Sequence, residues 1–312
     1  MIYSFPKIVK TLVWGTEEWV LSGVKGSESI TPDGKTLNDI YGGEFPLLIK
    51  FIDAKRDLSI QVHPDDALAA ARHGCKGKTE MWYIIGASEG AHLLAGLSKE
   101  IGPDDYVRLV DEDRITEVIA DHMVAPGDVF FLPAGRIHAI CGGCYLAEIQ
   151  ETSDITYRIY DYNRPGLDGK PRQLHTQQAK VAIDYKVYPD YRTPYTPAKD
   201  KEVTLVRDSH FTTSLCDIQK PLVLRLAAAE GSASASLPPR YRPAQKTSAE
   251  ADPLQRPFLI LIGLEGEAEV AGGTSQSSPT VLRAGEALLV LDETELKVNP
   301  STPSARFLSV RP

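Results

Sequence analysis

The chain contains one histidine whose local sequence could fix its imidazole in space. His138 ends the segment Gly127-Asp-Val-Phe-Phe-Leu-Pro-Ala-Gly-Arg-Ile-His138. The glycine favours a turn, the four apolar residues indicate a short buried strand, and Pro-Ala-Gly indicates a second tight turn. A neutral imidazole held at the start of a strand binds a metal with little further loss of conformational entropy. A single histidine is more often structural, so this interpretation depends on partners elsewhere.

Three residues upstream offer further nitrogen and oxygen donors. Gln61 and His63 stand two positions apart in an extended apolar run, so both side chains leave the same face of one strand. Glu80 precedes another apolar run. Two imidazoles, a carboxylate and an amide oxygen form a borderline-soft set that zinc accepts, with space for water or substrate. We therefore predict that these three residues and His138 form one metal site.

Short strands must position these residues. Two apolar runs between Leu47 and His63 flank a charged turn, a pattern typical of a β-hairpin. Asp65 and the alanine-rich stretch after it predict a short helix to about Arg72, stopped at Gly74. The spacing of strands and turns up to Ile149 is that of a Greek-key sandwich or barrel rather than of alternating strands and helices. The predicted fold class is all-β with a few short helices.

The last third of the chain carries a faint repeat of the first part. Phe258–Gly266 resembles Met81–Gly90, and Arg283–Leu291 resembles Ala125–Pro133. No histidine follows His210 in the sequence, so the ligand types of the first site are missing from the copy. The repeat therefore predicts a second β-domain without a metal site.

These patterns divide the chain into two predicted domains. Residues 1–198 form the metal-binding domain, and residues 199–312 form the degenerate copy, which supports it by packing. Gly231–Pro253 is rich in alanine, serine, glycine and proline, a composition typical of an exposed loop.

Length and charge limit the classes of partner. With 312 residues the chain can bury the cores of two domains of ordinary size. A formal charge of -8 and a pI near 5.5 argue against nucleic acid or an acidic membrane as the main partner, since both attract clustered cations. The sequence has no signal-peptide pattern at its start, and no window approaches the roughly 20 apolar residues of a membrane span. We therefore expect a cytoplasmic protein.

Two motifs resemble those of a known superfamily. Gly127-x5-Pro133-x-Gly135-x2-His138 resembles the second motif of the cupins, and Gln61-x-His63 with the displaced Glu80 resembles an altered first motif. Longer stretches are similar to the type I mannose-6-phosphate isomerases of the short bacterial form, and these are residues 58–66, 77–83, 133–139 and 148–160. The resemblance covers the chain and implies two cupin, or jelly-roll, β-barrel domains. One departure is Trp14-Gly15-Thr16, which only approximates the family's Trp-Gly-Gly.

The resemblance also implies the members of an active site. It implies one zinc per chain, with Gln61, His63, Glu80 and His138 as the ligands. It implies Arg158, in Ser-Asp-x-x-x-Arg, and Glu148, ten residues before it, as catalytic residues. Residues near the sugar phosphate or along the pocket are implied at Lys50, Ser59 and Lys78. The partner is then a small sugar phosphate, and the oligomeric state is left open between monomer and homodimer.

The implied reaction interconverts mannose 6-phosphate and fructose 6-phosphate by proton transfer through an enediol or enediolate. Arg158 is suited to hold the developing negative charge with its planar set of donors. The structural alternative for Arg158 is an ion pair with Asp154 or Asp161. Glu148 is either the base or a residue that orients its neighbours, because the sequence does not give its distance to a substrate carbon.

Other functions fit parts of the same pattern. A different metal cupin, such as another isomerase, an epimerase or a dioxygenase, shares the motifs, but Gln61 in place of a histidine makes an iron dioxygenase less favoured. A cupin that binds a sugar phosphate without turnover would keep the metal ligands. Arg158 and Glu148 together favour an enzyme, since binding alone requires neither a base nor a partner for an enediolate.

Overall fold

The computed structural model describes residues 1–226, 256–273 and 278–312. The loop predicted at residues 231–253 lies outside these described residues. The chain forms two compact units, which are considered separately below. The first unit contains residues 4–197 and 203–212, and the second contains residues 1–3, 198–202 and 213–312. The assignment of two domains with a metal site in only one of them stays a prediction.

Strands dominate the described residues, which confirms the all-β prediction. Up to residue 160 the strands are β1 (Ile2–Ser4), β2 (Ile8–Leu12), β3 (Gly15–Ser22), β4 (Leu47–Ala54), β5 (Ile60–Val62), β6 (Glu80–Ala87), β7 (His92–Leu97), β8 (Ile119–Met123), β9 (Val129–Leu132), β10 (His138–Ile140), β11 (Cys144–Glu151) and β12 (Tyr157–Tyr160). The later strands are β13 (Glu202–Arg207), β14 (Thr212–Ile218), β15 (Leu222–Arg225), β16 (Phe258–Glu265), β17 (Glu267–Gly272), β18 (Thr280–Arg283), β19 (Ala287–Leu291), β20 (Glu295–Pro300) and β21 (Ala305–Arg311).

The helices in the described ranges are short. They are α1 (Leu37–Tyr41), α2 (Asp66–His73), α3 (Pro103–Asp111), α4 (Thr176–Ala182) and a 3-10 turn at Ile115–Val118. None of them has the length and apolar character that crossing a membrane requires.

The first unit is a sandwich of two sheets with helices on one side. One sheet has the strand order β2-β3-β4-β11-β6-β9 and the other has the order β12-β5-β10-β7-β8. Apolar side chains from both sheets, including Ile52, Phe130 and Leu93, share one buried core. A second core lies between the five-stranded sheet and helices α3 and α4, where Tyr106 and Ala179 are fully buried. The five-stranded sheet thereby packs against a hydrophobic core on each face.

The helix predicted after Asp65 is confirmed, and the hairpin before it is wrong. The Asp65 side chain accepts a hydrogen bond from the Leu68 N–H, and Gly74 ends α2 in a left-handed conformation. Strand β4 pairs with β3 and β11, whereas β5 pairs with β10 and β12 in the other sheet. The charged turn between β4 and β5 therefore carries the chain from one sheet to the other.

The repeat seen in the sequence reappears as a repeated strand pairing. Strand β6 pairs antiparallel with β9, and β16, which carries the similar sequence, pairs antiparallel with β19. Two further sheets, ordered β1-β19-β16-β21-β14-β13 and β15-β20-β17-β18, include the strands of the second unit. Their apolar residues, among them Leu261, Val290 and Phe307, form that unit's own core.

One close contact in the first unit leads to a stability prediction. Gly96 has φ +77°, and a Cβ there would lie 1.9 Å from Cε1 of the buried Tyr191 ring, whose hydroxyl donates to the Leu97 carbonyl at 2.8 Å. We expect Gly96→Ala to lower the unfolding free energy by about 2 to 5 kcal/mol, since backbone strain and overpacking add. Gly90 has φ +78° with nothing within 4 Å, so Gly90→Ala isolates the backbone term of about 1 kcal/mol.

Urea unfolding followed by tryptophan fluorescence measures this difference. Trp14, Trp19 and Trp82 are the three tryptophans of the chain and all lie in the first unit, so the signal reports that unit. An equal loss in the two alanine variants would contradict the proposed contact with Tyr191.

Candidate metal centre and adjoining cavity

The four predicted ligands come together from three strands, β5, β6 and β10. Gln61 lies on β5, His63 directly follows it, and Glu80 and His138 are the first residues of β6 and β10. The His63 Nε2 lies 3.5 Å from Glu80 Oε2, and the His138 Nε2 lies 3.2 Å from Glu80 Oε1. The Gln61 Nε2 and His138 Nε2 are 3.3 Å apart. One donor atom from each of His63, Glu80 and His138 lies within 4.8 Å of the other two, and all three residues are buried.

The two imidazoles are oriented by backbone carbonyls. His63 Nδ1 lies 2.8 Å from the Ile155 carbonyl oxygen, and His138 Nδ1 lies 2.8 Å from the Arg136 carbonyl oxygen. Because a carbonyl only accepts, each Nδ1 carries the proton and each Nε2 keeps a lone pair facing Glu80. Burial lowers the pKa of His63 well below its usual range and that of His138 to about 4. Both rings are therefore neutral at neutral pH, as metal ligation requires.

The donor atoms of this group are buried and have few hydrogen-bond partners. Among the described residues, His63 Nε2 and Glu80 Oε1 have none, and Glu80 Oε2 has the ammonium group of Lys78 at 2.8 Å. Buried polar atoms are rarely left unsatisfied, and a cation at their common centre would satisfy all three. A half-turn of the Gln61 amide presents its oxygen to the same point. Two imidazoles, a carboxylate and an amide oxygen thus fit a borderline metal.

A second buried carboxylate lies beside this group and is held differently. Glu148 on β11 stands opposite Lys50 on β4 and Trp82 on β6. Its Oε1 is 3.1 Å from Lys50 Nζ, and its Oε2 accepts a hydrogen bond from Trp82 Nε1 at 2.9 Å. Lys78 Nζ lies between the two carboxylates, 2.8 Å from Glu80 Oε2 and 3.8 Å from Glu148 Oε1.

The surroundings push the pKa values of the two carboxyl groups apart. Burial and the neighbouring Glu148 charge raise the pKa of Glu80 despite Lys78. Burial alone would raise the pKa of Glu148, but Lys50 and Lys78 outweigh it and lower that pKa. Glu148 is therefore ionised at neutral pH. The charge on Glu80 is less well stabilised, and a cation in addition to Lys78 would favour it.

A cavity of about 250 Å³ opens next to the metal-ligand group. Six of the nine site residues predicted from the sequence line it: Lys50, Ser59, Gln61, Lys78, Glu148 and Arg158. The other three, His63, Glu80 and His138, are almost fully buried. All nine residues lie in the first unit.

Arg158 stands opposite Gln61, since β12 pairs with β5 at these two residues. Its Nη1 donates to the Gln173 carbonyl at 3.0 Å, and its Nε is buried with no hydrogen-bond partner among the described residues. Neither Asp154 nor Asp161 forms an ion pair with it in the described part of the chain, and Asp161 is bound by Arg164 and Arg172 instead. Burial and the nearby Arg172 lower the pKa of Arg158. The ion-pair alternative for Arg158 is therefore absent from this structure.

Several residues near the cavity were not predicted as members of the site. His175 directly precedes α4, but its Nδ1 accepts a hydrogen bond from the Arg158 backbone N–H at 3.1 Å and does not cap the helix. Glu17 and Trp19 on β3 also line the cavity, and Trp19 stands opposite Lys50. Because the two residues are two positions apart on one strand, the sequence indicates that their side chains share a face. It does not show that this strand pairs with the one that carries Lys50, since that register depends on distant residues.

A second cluster of possible ligands has a simpler explanation. Asp66, Glu151 and His210 also place donor atoms within 4.8 Å of one another. Here Glu151 Oε2 accepts from the Thr79 N–H, and His210 Nδ1 lies 3.0 Å from Glu151 Oε1. Burial opposes the charge on His210, but Glu151 outweighs it and raises the pKa of the ring. This cluster is an ion pair satisfied by protein groups.

The chain is similar to several known proteins. Residues 5–85 match the family model described as phosphomannose isomerase type I, catalytic domain. The chain is 30% identical over 275 residues to mannose-6-phosphate isomerase ManA of Bacillus subtilis, covering 82% of this chain and 78% of that protein. It is 36% identical to the probable mannose-6-phosphate isomerase GmuF of the same organism, over 57% of this chain and 61% of that protein.

Solved structures agree at the level of the fold. The crystal structure of the mannose 6-phosphate isomerase from Bacillus subtilis superposes with a TM-score of 0.80 at 24% identity, covering 98% of each chain. A putative mannosephosphate isomerase from Archaeoglobus fulgidus gives a TM-score of 0.71 at 14% identity, covering 99% of this chain and 96% of that chain. The cupin fold predicted from the motifs is thereby confirmed.

The unsatisfied donor atoms lead to a prediction of metal binding. We expect the metal-free chain to bind one Co²⁺, and His138→Gln to weaken that binding by more than about 100-fold, since even groups that only support a ligand contribute about 10- to 100-fold. His92→Gln is the matched control, because His92 lies on β7 of the same sheet with Asp121 as its neighbour. Titration by visible absorption, with metal analysis after dialysis, provides the readout. Equal affinities in the two variants would rule out this site.

Proposed function

The chain belongs to the type I mannose-6-phosphate isomerase family, and from this premise we propose how its residues carry out the reaction. The enzyme is an aldose-ketose isomerase that interconverts mannose 6-phosphate and fructose 6-phosphate. One observation supports the mechanism above all others. A group of unsatisfied nitrogen and carboxylate donors lies beside a polar cavity large enough for a small sugar.

We propose zinc as the metal, one per chain, held by Gln61, His63, Glu80 and His138. The neutral imidazoles with oriented Nε2 lone pairs and the single carboxylate support zinc over a hard cation, which prefers oxygen ligands alone. When bound, zinc supplies a positive charge that polarises the sugar carbonyl and favours negative charge on oxygen. The remaining steps depend on the side chains of the cavity.

The isomerisation moves a proton between C2 and C1, so negative charge develops on the two oxygens of the enediolate. We assign Arg158 to hold that charge. Its guanidinium lines the cavity, stands opposite the ligand Gln61 and has an unpartnered Nε in the described part of the chain. A donor that is already oriented and desolvated stabilises a developing oxyanion without reorganisation.

Glu148 has the surroundings of a residue that orients its neighbours. Its lowered pKa keeps it ionised, but the same shift weakens it as a proton acceptor. Lys50 and Trp82 engage one carboxylate oxygen each. We therefore assign Glu148 to fixing Lys50 and Lys78 in the cavity wall, where they and Ser59 contact the sugar.

A direct assay tests the function. Purified chain of known zinc content is incubated with mannose 6-phosphate in D2O, and fructose 6-phosphate and its deuterium content are measured. We expect product formation that stops on chelation and returns with zinc, with solvent deuterium in part of the product. A chain that binds one zinc and the sugar phosphate but forms no product would instead be a binding protein.

The role of Arg158 leads to a kinetic prediction. Arg158→Ala is expected to keep zinc and fold and to reduce kcat by on the order of 10², the scale of one oxyanion donor. Arg158→Lys should recover activity only in part, because it keeps the charge and loses the planar set of donors. Arg164→Ala is the control, since Arg164 pairs with Asp161 at 2.9 Å and is not among the cavity-lining residues. A near wild-type kcat in Arg158→Ala at saturating substrate would remove Arg158 from the mechanism.

A further inference from the structure

The cations of the cavity differ in how far they are already neutralised. Five cationic side chains line it: Lys10, Lys50, Lys78, Arg158 and Arg172. Lys50 lies 3.1 Å from Glu148 and 3.6 Å from Glu17, Lys78 lies 2.8 Å from Glu80, and Arg172 binds Asp161 at 2.5 Å. In the described ranges, only Lys10 and Arg158 of these five form no ion pair with a carboxylate. These two positive charges remain available to an anionic substrate.

Lys10 is held by an aromatic ring and not by an acid. Its Nζ lies 3.3 Å from the centroid of the Trp19 ring, and the Lys50 Nζ lies 5.1 Å from the same centroid. The ring is itself fixed, because Trp19 is buried and its Nε1 donates to Glu17 Oε2 at 2.6 Å. A cation–π contact positions an ammonium group without cancelling its charge.

The ammonium group of Lys10 is partly removed from water. Lys10 is half-buried on β2, and burial lowers its pKa although the nearby Glu17 raises it. Asp154, the other acid whose charge acts on Lys10, is not within ion-pair distance of it in the described residues. A partly desolvated ammonium group gains more from a bound anion than a fully hydrated one does.

The two unpaired cations lie on different sheets. Arg158 on β12 stands opposite the predicted ligand Gln61. Lys10 is on β2, an edge strand of the other sheet that β3, β4 and β11 separate from the Glu80 strand β6. A hexose 6-phosphate likewise presents two groups to cations, because its phosphate is at the opposite end from the C1 and C2 oxygens.

We propose that Lys10, whose ammonium group lies against the Trp19 ring, binds the phosphate group of the substrate. This inference rests on the proposed function. A phosphate monoester carries about -1.5 to -2 charges at neutral pH, and a lysine ammonium is an effective partner for it. Lys50 is a weaker candidate because two carboxylates already share its charge. Lys10 is thus a specificity residue, which distinguishes a phosphorylated hexose from the free sugar, and it takes no part in proton transfer.

The test compares Lys10→Met with Lys7→Met. Both changes remove one positive charge from the same segment, but Lys7 pairs with Glu18 at 2.6 Å and is not among the residues that line the cavity. For Lys10→Met we expect KM for mannose 6-phosphate to rise about 10- to 100-fold, the range for a charged hydrogen bond, with kcat nearly unchanged. Lys10→Arg should stay within a few-fold of the wild type, and Trp19→Phe, which keeps a ring, should show a smaller rise than Lys10→Met.

A binding measurement keeps this inference separate from the isomerase assignment. Calorimetric titration of the zinc-loaded chain with fructose 6-phosphate, and with free mannose for comparison, needs no turnover. Weaker binding of the phosphorylated sugar in Lys10→Met, with the affinity for mannose unchanged, supports the Lys10 site even if the wild type forms no product. KM and affinity equal to those of Lys7→Met in an active enzyme would overturn the Lys10 site and leave the isomerase function intact. A fall in kcat at unchanged KM would overturn it as well.

Discussion

The structure of the site depends on the cost of burying the Glu80 carboxylate. A charge in a dry interior needs a counter-charge, and the Glu80 oxygens face two neutral imidazoles that offer lone pairs instead of protons. Lys78 supplies one positive charge from the side, and a metal would supply the remainder. The ion pairs of Lys50 and Lys78 with Glu148 extend this balance toward the cavity. Removing one of these charged side chains would change the charge balance of its neighbours, so the group has to be understood as one network.

The sandwich of two sheets makes this network possible. Gln61 and His138 come from neighbouring strands of the five-stranded sheet, whereas Glu80, Lys50 and Glu148 come from three strands of the six-stranded sheet. A site built from both sheets is rigid because each side chain is fixed by a strand whose register is set by a hydrophobic core. Arg158 on β12 and Lys10 on β2 lie on edge strands of the five-stranded and the six-stranded sheet, respectively.

Local patterns in the sequence were sufficient to find the residues of the buried donor group and insufficient for much of the cavity. Two donors on one strand face and a histidine after a rigid turn are local features, and the helix after Asp65 follows from its capping residues. The hairpin prediction failed because apolar alternation shows which residues face a core but not which strand lies alongside. Lys10 and Trp19 could not be found, since strand β3, which pairs with β2, brings both to Lys50 through its pairing with the distant strand β4.

The hydrogen bond from His63 to the Ile155 carbonyl joins two regions that are otherwise separate in the chain. Ile155 belongs to the connection between β11 and β12, immediately before the strand that carries Arg158. Because thermodynamic linkage is reciprocal, a position of the connection that favours one orientation of the His63 ring is itself favoured by anything that fixes the ring in that orientation. This single contact thus couples the donor group to the start of the strand that carries Arg158.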